Sequence, residues 1–164
     1  MAERLLEVKD LGVEFTTEDG VVHAVDGVSF ELERGKVLGI VGESGSGKSV
    51  TAMTIMGLTR DINASFRGEV SYQGRNLLEV SDTEMQDFRG NEIGMILQDP
   101  MTSLNPVYRI GDQIAEAIRA HEPADKRTAK RRAVELLRQV GIPNPESRAD
   151  DFPHQFSAAC VSAR

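Results

Sequence analysis

The sequence is poor in the residues that build disulfides, zinc sites and membrane spans. It contains one cysteine, Cys160, and three scattered histidines in 164 residues. A single cysteine excludes an internal disulfide and fits a reducing cytoplasm, and so few histidines give no visible zinc site. No apolar run approaches the roughly 18 residues of a membrane-spanning helix. Residues 1–4 are not followed by the apolar core of a signal peptide, so we expect none.

Basic residues are also in deficit. The formal net charge is −7, from 26 acidic and 19 basic residues. A general nucleic-acid binder or membrane-surface binder is usually basic, so both classes are disfavoured. With 40% hydrophobic and 27% charged residues, the composition is ordinary for a globular protein, and the length suffices for one domain with a core.

A glycine-rich loop carries the clearest chemical signal. Residues 42–49 read GESGSGKS, which matches the phosphate-loop pattern G-x-x-x-x-G-K-S without a mismatch. Its glycines let backbone N–H groups approach phosphate oxygens, Lys48 can reach the β- and γ-phosphates, and the Ser49 hydroxyl can ligate Mg²⁺. The alternative interpretation is a Gly/Ser-rich surface turn. The residues predicted to bind a nucleotide here are Gly42, Ser44, Gly45, Ser46, Gly47, Lys48 and Ser49.

The flanks of this loop have the order that the motif requires. The apolar residues 37–41 predict a strand buried on both faces of a parallel sheet. Residues 50–58 predict a helix with no breaker before Gly57. Strand, loop and helix in this order place the loop at a helix N-terminus, which favours an anion.

Alternating patterns precede the loop and continue after it. Residues 6–15 and 28–33 alternate apolar and polar positions, which predicts two half-buried strands, and Asp19-Gly20 predicts a hairpin turn between them. Residues 67–74 predict a further short strand. Ser81 and Glu84 have capping-box spacing, so a short helix is expected to begin there and to end at Gly90.

The second half of the chain has helical character. An apolar run at residues 93–97 ends at Gln98, and ligands of open α/β sheets bind at such strand ends. Beyond about Asn105, apolar residues recur at helical spacing in two segments, and the second is closed by Gly141. We interpret the basic residues 126–132 as the solvated start of this second helix. The pattern therefore predicts a nucleotide-binding core at residues 1–104 and a partial helical subdomain at residues 105–164.

Three stretches resemble the ATP-binding subunit of ABC transporters. They read VGESGSGKS at residues 41–49, ILQDPMTSLNP at residues 96–106 and FPHQFS at residues 152–157. The branch that imports dipeptides, oligopeptides and nickel is the most similar. The resemblance implies an α/β fold: a P-loop NTPase core of the ABC type, with an antiparallel β subdomain and the start of the helical subdomain, as an incomplete domain.

The resemblance also implies ligands, roles and partners. The cofactors would be ATP and Mg²⁺. Gln98 would approach Mg²⁺ and the attacking water as a catalytic and metal-binding residue, and Phe15 would stack on adenine, unless Phe15 is simply a core residue of an alternating strand. The partners would be membrane subunits and a second ATP-binding subunit, without nucleic acid and without membrane insertion. The location would be cytoplasmic, peripheral at the inner face of the cell membrane.

The chain departs from the family at the signature motif. The family places two glycines after the serine that corresponds to Ser157, whereas this chain has Ala158 and Ala159. No apolar strand followed by Asp-Glu occurs after Ser157. We therefore expect a truncated subunit that binds ATP with little or no hydrolysis. A one-base deletion in a G+C-rich gene is our hypothesis for residues 158–164. The alternatives are a deliberately shortened chain and a divergent natural short protein.

Three functions remain open at this point. The first is an ATP-hydrolysing subunit that drives import of peptides or nickel. The second is an ATP-binding fragment with no hydrolysis and no transport role. The third is a stand-alone P-loop kinase, which would need an acceptor site and a lid and would make the Gln98 stretch a coincidence. We also expect exposed sheet edge and apolar surface to cause a non-native homo-oligomer.

Overall fold

The computed structural model describes residues 4–60, 63–97 and 103–156. These residues form two compact units, one within Met1–Ile93 and the other within Gly94–Arg164. The first unit contains the β-sheet and the phosphate loop, and the second contains the two longest helices. The functional division into residues 1–104 and 105–164 stays a prediction.

An antiparallel sheet dominates the first unit. Its strands are β1 (Arg4–Thr17), β2 (Gly20–Glu33), β3 (Ala64–Tyr72) and β4 (Arg75–Asn76), in the order β2-β1-β3-β4. All three pairings are antiparallel. The strands predicted at residues 6–15, 28–33 and 67–74 are confirmed, and the hairpin turn between β1 and β2 lies where Asp-Gly predicted it.

Apolar side chains at alternating positions of the strands fill the core of this unit. Side chains of alternating residues point to opposite faces of a strand, so one face of the sheet is apolar. The core also takes side chains from the segment after β4 and from the helix that follows it. Its buried members are Val8, Leu11, Val13, Val25, Val70, Tyr72, Leu77, Met85 and Phe88.

Two helices complete the first unit, both close to their predicted positions. Helix α1 (Lys48–Ile55) begins two residues earlier than predicted and ends before Gly57, whose φ is +63°. Helix α2 (Asp82–Asn91) begins at the predicted capping box, in which the side chains of Ser81 and Glu84 each accept a hydrogen bond from the other residue's backbone N–H. Gly90 has a φ of +84° and interrupts the regular helix, as predicted.

The predicted buried strand at residues 37–41 is wrong. These residues belong to no strand or helix, and their four apolar side chains are exposed. A strand is buried on both faces only when neighbouring strands and covering helices supply partners, and the described residues supply none for this segment. Residues 94–97 likewise lie outside regular structure, although Ile93 makes an isolated parallel bridge with Arg89.

Helices make up the second unit. They are α3 (Ile110–His121), α4 (Lys126–Gln139) and the short α5 (Pro145–Arg148), followed by a turn of 3₁₀ helix at Pro153–Gln155. Helices α3 and α4 pack through small side chains, with Ala115, Ala129 and Ala133 buried. Both helices predicted from apolar spacing are confirmed, and Gly141 follows α4 with a φ of +79°. The basic start of α4 is largely exposed, in keeping with its interpretation as a solvated helix face.

Candidate nucleotide phosphate site

The phosphate loop, residues 42–49, runs directly into α1. Gly45 and Gly47 both have a φ of +83°, in the left-handed region that favours glycine. Gly47 is the N-terminal cap residue of α1. The positions of these two glycines in the motif are therefore set by the turn that leads the chain into the helix.

A close approach to β2 fixes the end of the loop. A Cβ atom on Gly47 would lie 2.4 Å from the carbonyl oxygen of Ala24 and 3.2 Å from a methyl carbon of Val25. Real side chains do not tolerate such a distance to a backbone oxygen. The absence of a side chain at Gly47 thus allows the loop to rest directly on β2.

The side chain of Lys48 folds back into the loop. Its ammonium group donates hydrogen bonds to the carbonyl oxygens of Gly42 at 2.8 Å and Glu43 at 2.6 Å, and to the Ser46 hydroxyl at 3.1 Å. All three acceptors are neutral. Among the described residues no carboxylate lies within ion-pair distance of this ammonium group, so its positive charge is left for an anionic ligand.

Backbone N–H groups add to this positive region. Within the described ranges, the N–H groups of residues 45 and 47–50 donate to no acceptor, whereas that of Thr51 donates to the carbonyl oxygen of Gly47 at 2.8 Å. The first helical turn of α1 contains no acidic residue. Unpaired N–H groups, the helix dipole and an ammonium group together form a site suited to phosphate oxygens.

Ser49 is the second residue of α1 and is exposed. No group of three His, Cys, Asp or Glu side chains suited to a metal ion occurs among the described residues. Among the described residues, the Ser49 hydroxyl is the predicted ligand of a divalent ion, and water and the phosphates of a nucleotide would supply further ligands. Mg²⁺ accepts such a ligand set, because it retains water and binds nucleotide phosphates with few protein ligands.

Two arginines that the sequence analysis did not identify hold the other end of α1. Arg89 donates through Nε to the carbonyl oxygen of Met56 and through a terminal nitrogen to that of Gly57, both at 2.7 Å. Arg60 donates to the carbonyl oxygens of Leu77 and Val80, the latter at 2.6 Å. The Arg89 bonds satisfy carbonyl groups just beyond α1. The Arg60 bonds tie the chain after α1 to the segment that precedes α2.

The predicted adenine contact, Phe15, lies in β1. It is half-buried, packs against the sheet core, and pairs in register with Val22 of β2 and Ala64 of β3. A half-buried position on the sheet is compatible with a core residue and with an adenine contact, so adenine stacking stays a prediction. Gln98 lies outside the described residues, as do Ala158 and Ala159 of the altered signature motif.

The glycines, the lysine and the helix start converge on one candidate phosphate site, and the sequence comparisons identify the family of the chain. Residues 25–160 match the family described as ABC transporter. The chain belongs to the ABC transporter family.

Two curated relatives illustrate the likeness. The oligopeptide transport ATP-binding protein OppD of Bacillus subtilis (strain 168) is 56% identical over 155 residues, which cover 94% of this chain and 43% of that protein. The dipeptide transport ATP-binding protein DppD of Escherichia coli (strain K12) is 48% identical over 153 residues, which cover 93% of this chain and 47% of that protein. The chain thus spans less than half the length of these relatives.

Solved structures agree on the fold. The ATP-binding cassette MJ0796, in a dimeric post-hydrolysis state bound to ADP and Pi, superimposes with a TM-score of 0.75 at 21% identity. The match covers 93% of this chain and 63% of that one. The fold is therefore that of an ABC-type cassette, of which the antiparallel β layer, the phosphate loop and helices are present here. None of the helices in the described ranges has the length and apolar character of a membrane span.

Proposed function

We propose that this chain binds Mg-ATP at residues 42–49 as the nucleotide-binding part of an ABC importer. The observation that carries the proposal is the ammonium group of Lys48, which lies inside the loop on neutral acceptors close to unpaired backbone N–H groups. ATP supplies a polyphosphate that matches this charge. Lys48 would bind the β- and γ-phosphates, and Ser49 would hold the metal ion.

The proposed cargo and partners follow the relatives. Proteins named for oligopeptide and dipeptide transport share about half of their residues with this chain over its aligned length. We propose peptide import as the transported class, with nickel as the alternative within the same branch. The partners would be membrane subunits and a second ATP-binding subunit, at the inner face of the cell membrane.

The 164-residue chain by itself is proposed to bind ATP with turnover near background. Ala158 and Ala159 stand where the family has glycines that approach the γ-phosphate bound by the other subunit. A methyl group at such a position occupies space that the phosphate needs. The non-hydrolysing ATP-binding fragment is thus the second candidate function, and the same altered residues favour it.

Titration calorimetry with Mg-ATP tests the binding site. Lys48→Ala should weaken affinity roughly 10- to 100-fold, because hydrogen bonds to charged groups contribute about 1.5–3 kcal/mol. Lys126→Ala is the matched control, since it removes an exposed lysine from α4 in the other unit. Equal affinity of the parent and the Lys48→Ala chain would exclude the loop as the site.

Turnover is measured on the same samples. Phosphate release near the level of the Lys48→Ala chain is expected for the parent, together with measurable binding. Hydrolysis at a rate typical of whole ABC cassettes, lost in Lys48→Ala, would refute the non-hydrolysing assignment while supporting the site.

A further inference from the structure

The first two turns of α4 carry a concentration of positive charge, in a chain whose formal net charge is −7. Five cationic side chains lie there within seven residues, and all five are exposed. The basic surface, as we name it, consists of Lys126, Arg127, Lys130, Arg131 and Arg132.

This arrangement of charge opposes the stability of α4. The N-terminus of a helix carries a partial positive charge, which disfavours cations in the first turn. The first turn of α4 nevertheless contains Lys126 and Arg127 and no acidic residue. Lys126 with Lys130, and Arg127 with Arg131, are also like-charge pairs at the spacing i,i+4, which destabilises a helix. Helix stability therefore does not account for the basic surface.

Ion pairs within the second unit account for only two of the five cations. The ammonium group of Lys130 lies 3.0 Å from a carboxylate oxygen of Asp112, and the guanidinium group of Arg132 lies 2.6 Å from one of Glu122. Among the described residues, the other three cations have no carboxylate within ion-pair distance. Their charge is left for an anionic partner.

The basic surface offers charge without an apolar anchor. Ala129 and Ala133 are buried in the contact with α3, and Arg127 and Arg131 lie on the opposite side of α4. No exposed residue from 125 to 132 is apolar. Protein partners usually bind through buried aromatic or aliphatic anchors, whereas anionic lipid headgroups attract clustered cations through charge alone.

The negative charge of the whole chain does not prevent such a contact. Charges separated by more than about 10 Å are largely screened at about 0.1 M salt, so an approaching surface responds to the nearest residues. A chain that is acidic overall can therefore bind an anionic surface through one basic region.

We propose that the basic surface of α4 binds the anionic lipid headgroups of the membrane at which the proposed importer works. The contact rests on the proposed location at the inner face of that membrane. It adds a lipid-binding surface that is separate in the chain from residues 42–49, the proposed ATP site. The contact is electrostatic, and no side chain enters the hydrocarbon.

Vesicle flotation with the parent chain tests the proposal. The parent should bind phosphatidylcholine vesicles that contain phosphatidylglycerol, should bind vesicles of phosphatidylcholine alone far more weakly, and should dissociate from the anionic vesicles as salt is raised. Arg127→Gln/Arg131→Gln should weaken binding to the anionic vesicles about 25-fold, because each basic residue near such a surface strengthens binding about fivefold.

The matched control is Lys36→Gln/Arg119→Gln, which removes two exposed cations outside the basic surface. It changes the net charge by the same amount and should bind the anionic vesicles as the parent does. Thermal unfolding followed by circular dichroism should show Arg127→Gln/Arg131→Gln to be at least as stable as the parent, since the substitution removes a like-charge pair.

Lys48→Ala separates this proposal from the proposed ATP binding. This variant should lose ATP affinity and should bind the anionic vesicles like the parent, so each proposal can fail while the other holds.

Three outcomes would overturn the proposal. The first is a parent chain that binds vesicles with and without phosphatidylglycerol equally or binds neither. The second is an equal loss of vesicle binding in Arg127→Gln/Arg131→Gln and in its control, which would show a response to net charge alone. The third is binding to polyglutamate without binding to the anionic vesicles, which would assign the basic surface to an acidic protein.

Discussion

Gly47 and Ala24 lie so close that no side chain fits between them. A Cβ atom on Gly47 would approach the carbonyl oxygen of Ala24 to 2.4 Å, whereas a Cβ atom on Gly45 would meet nothing within 4 Å. Both glycines have the same φ of +83°. An alanine at Gly45 therefore carries only the cost of the left-handed backbone conformation. An alanine at Gly47 carries that cost and also a clash with β2.

We predict a large difference between Gly45→Ala and Gly47→Ala. The first variant should lose about 1–2 kcal/mol of stability, from the left-handed conformation alone. Gly47→Ala should lose about 3 kcal/mol or more and weaken ATP binding at least about tenfold, because the loop must move away from β2. Urea unfolding and calorimetry measure both effects. Similar losses in the two variants would contradict the role of Ala24.

Arg89 gives the second prediction. Replacing it by methionine leaves the carbonyl oxygens of Met56 and Gly57 without their donors, so a loss of about 1–3 kcal/mol is expected in urea unfolding. Arg119→Met, at an exposed arginine in the last turn of α3, should change stability by less than about 0.5 kcal/mol. Equal effects of the two substitutions would mean that the Arg89 hydrogen bonds to Met56 and Gly57 contribute nothing to the free energy of unfolding.

The features predicted correctly from the sequence are those encoded by neighbouring residues. The Asp-Gly turn, the alternation of β1 and β2, and the capping box at Ser81 each depend on a few consecutive positions. The conformation of residues 42–49 is the same kind of feature, because glycine conformation and the reach of Lys48 are local properties, whereas nucleotide binding by these residues stays a prediction.

The features that were missed depend on residues far apart in the chain. Residues 37–41 have the composition of a buried strand, but burial requires partners that a local pattern does not contain. The hydrogen bonds of Arg89 could not be predicted because their acceptors are backbone carbonyl groups, which every residue has whatever its side chain. The pairing of Gly47 with Ala24 joins positions 23 residues apart and was invisible for the same reason.

The capping box of α2 gives the third prediction. The Ser81 hydroxyl accepts a hydrogen bond from the backbone N–H of Glu84, and the Glu84 carboxylate accepts one from the backbone N–H of Ser81. Ser81→Ala should therefore destabilise the protein by about 1 kcal/mol, measured by thermal unfolding. Ser81→Asp is the control, because aspartate also caps helices and should retain most of the stability. A Ser81→Ala chain as stable as the parent would contradict the prediction.

The last prediction concerns the stability of this cap in acid. The backbone N–H of Ser81, followed by its hydroxyl and the charge of Arg75, lowers the pKa of Glu84 below its ordinary value of 4.5. Because the folded-state pKa is the lower one, the stabilisation is present above pH 4.5 and is lost as the pH falls through the folded-state pKa. Glu84→Gln retains a capping side chain but cannot titrate. Its unfolding free energy should therefore fall less steeply than that of the parent between pH 5 and pH 3, as measured by urea titrations across that range. Parallel curves for the two chains would show that the Glu84 carboxylate contributes no acid-sensitive stability.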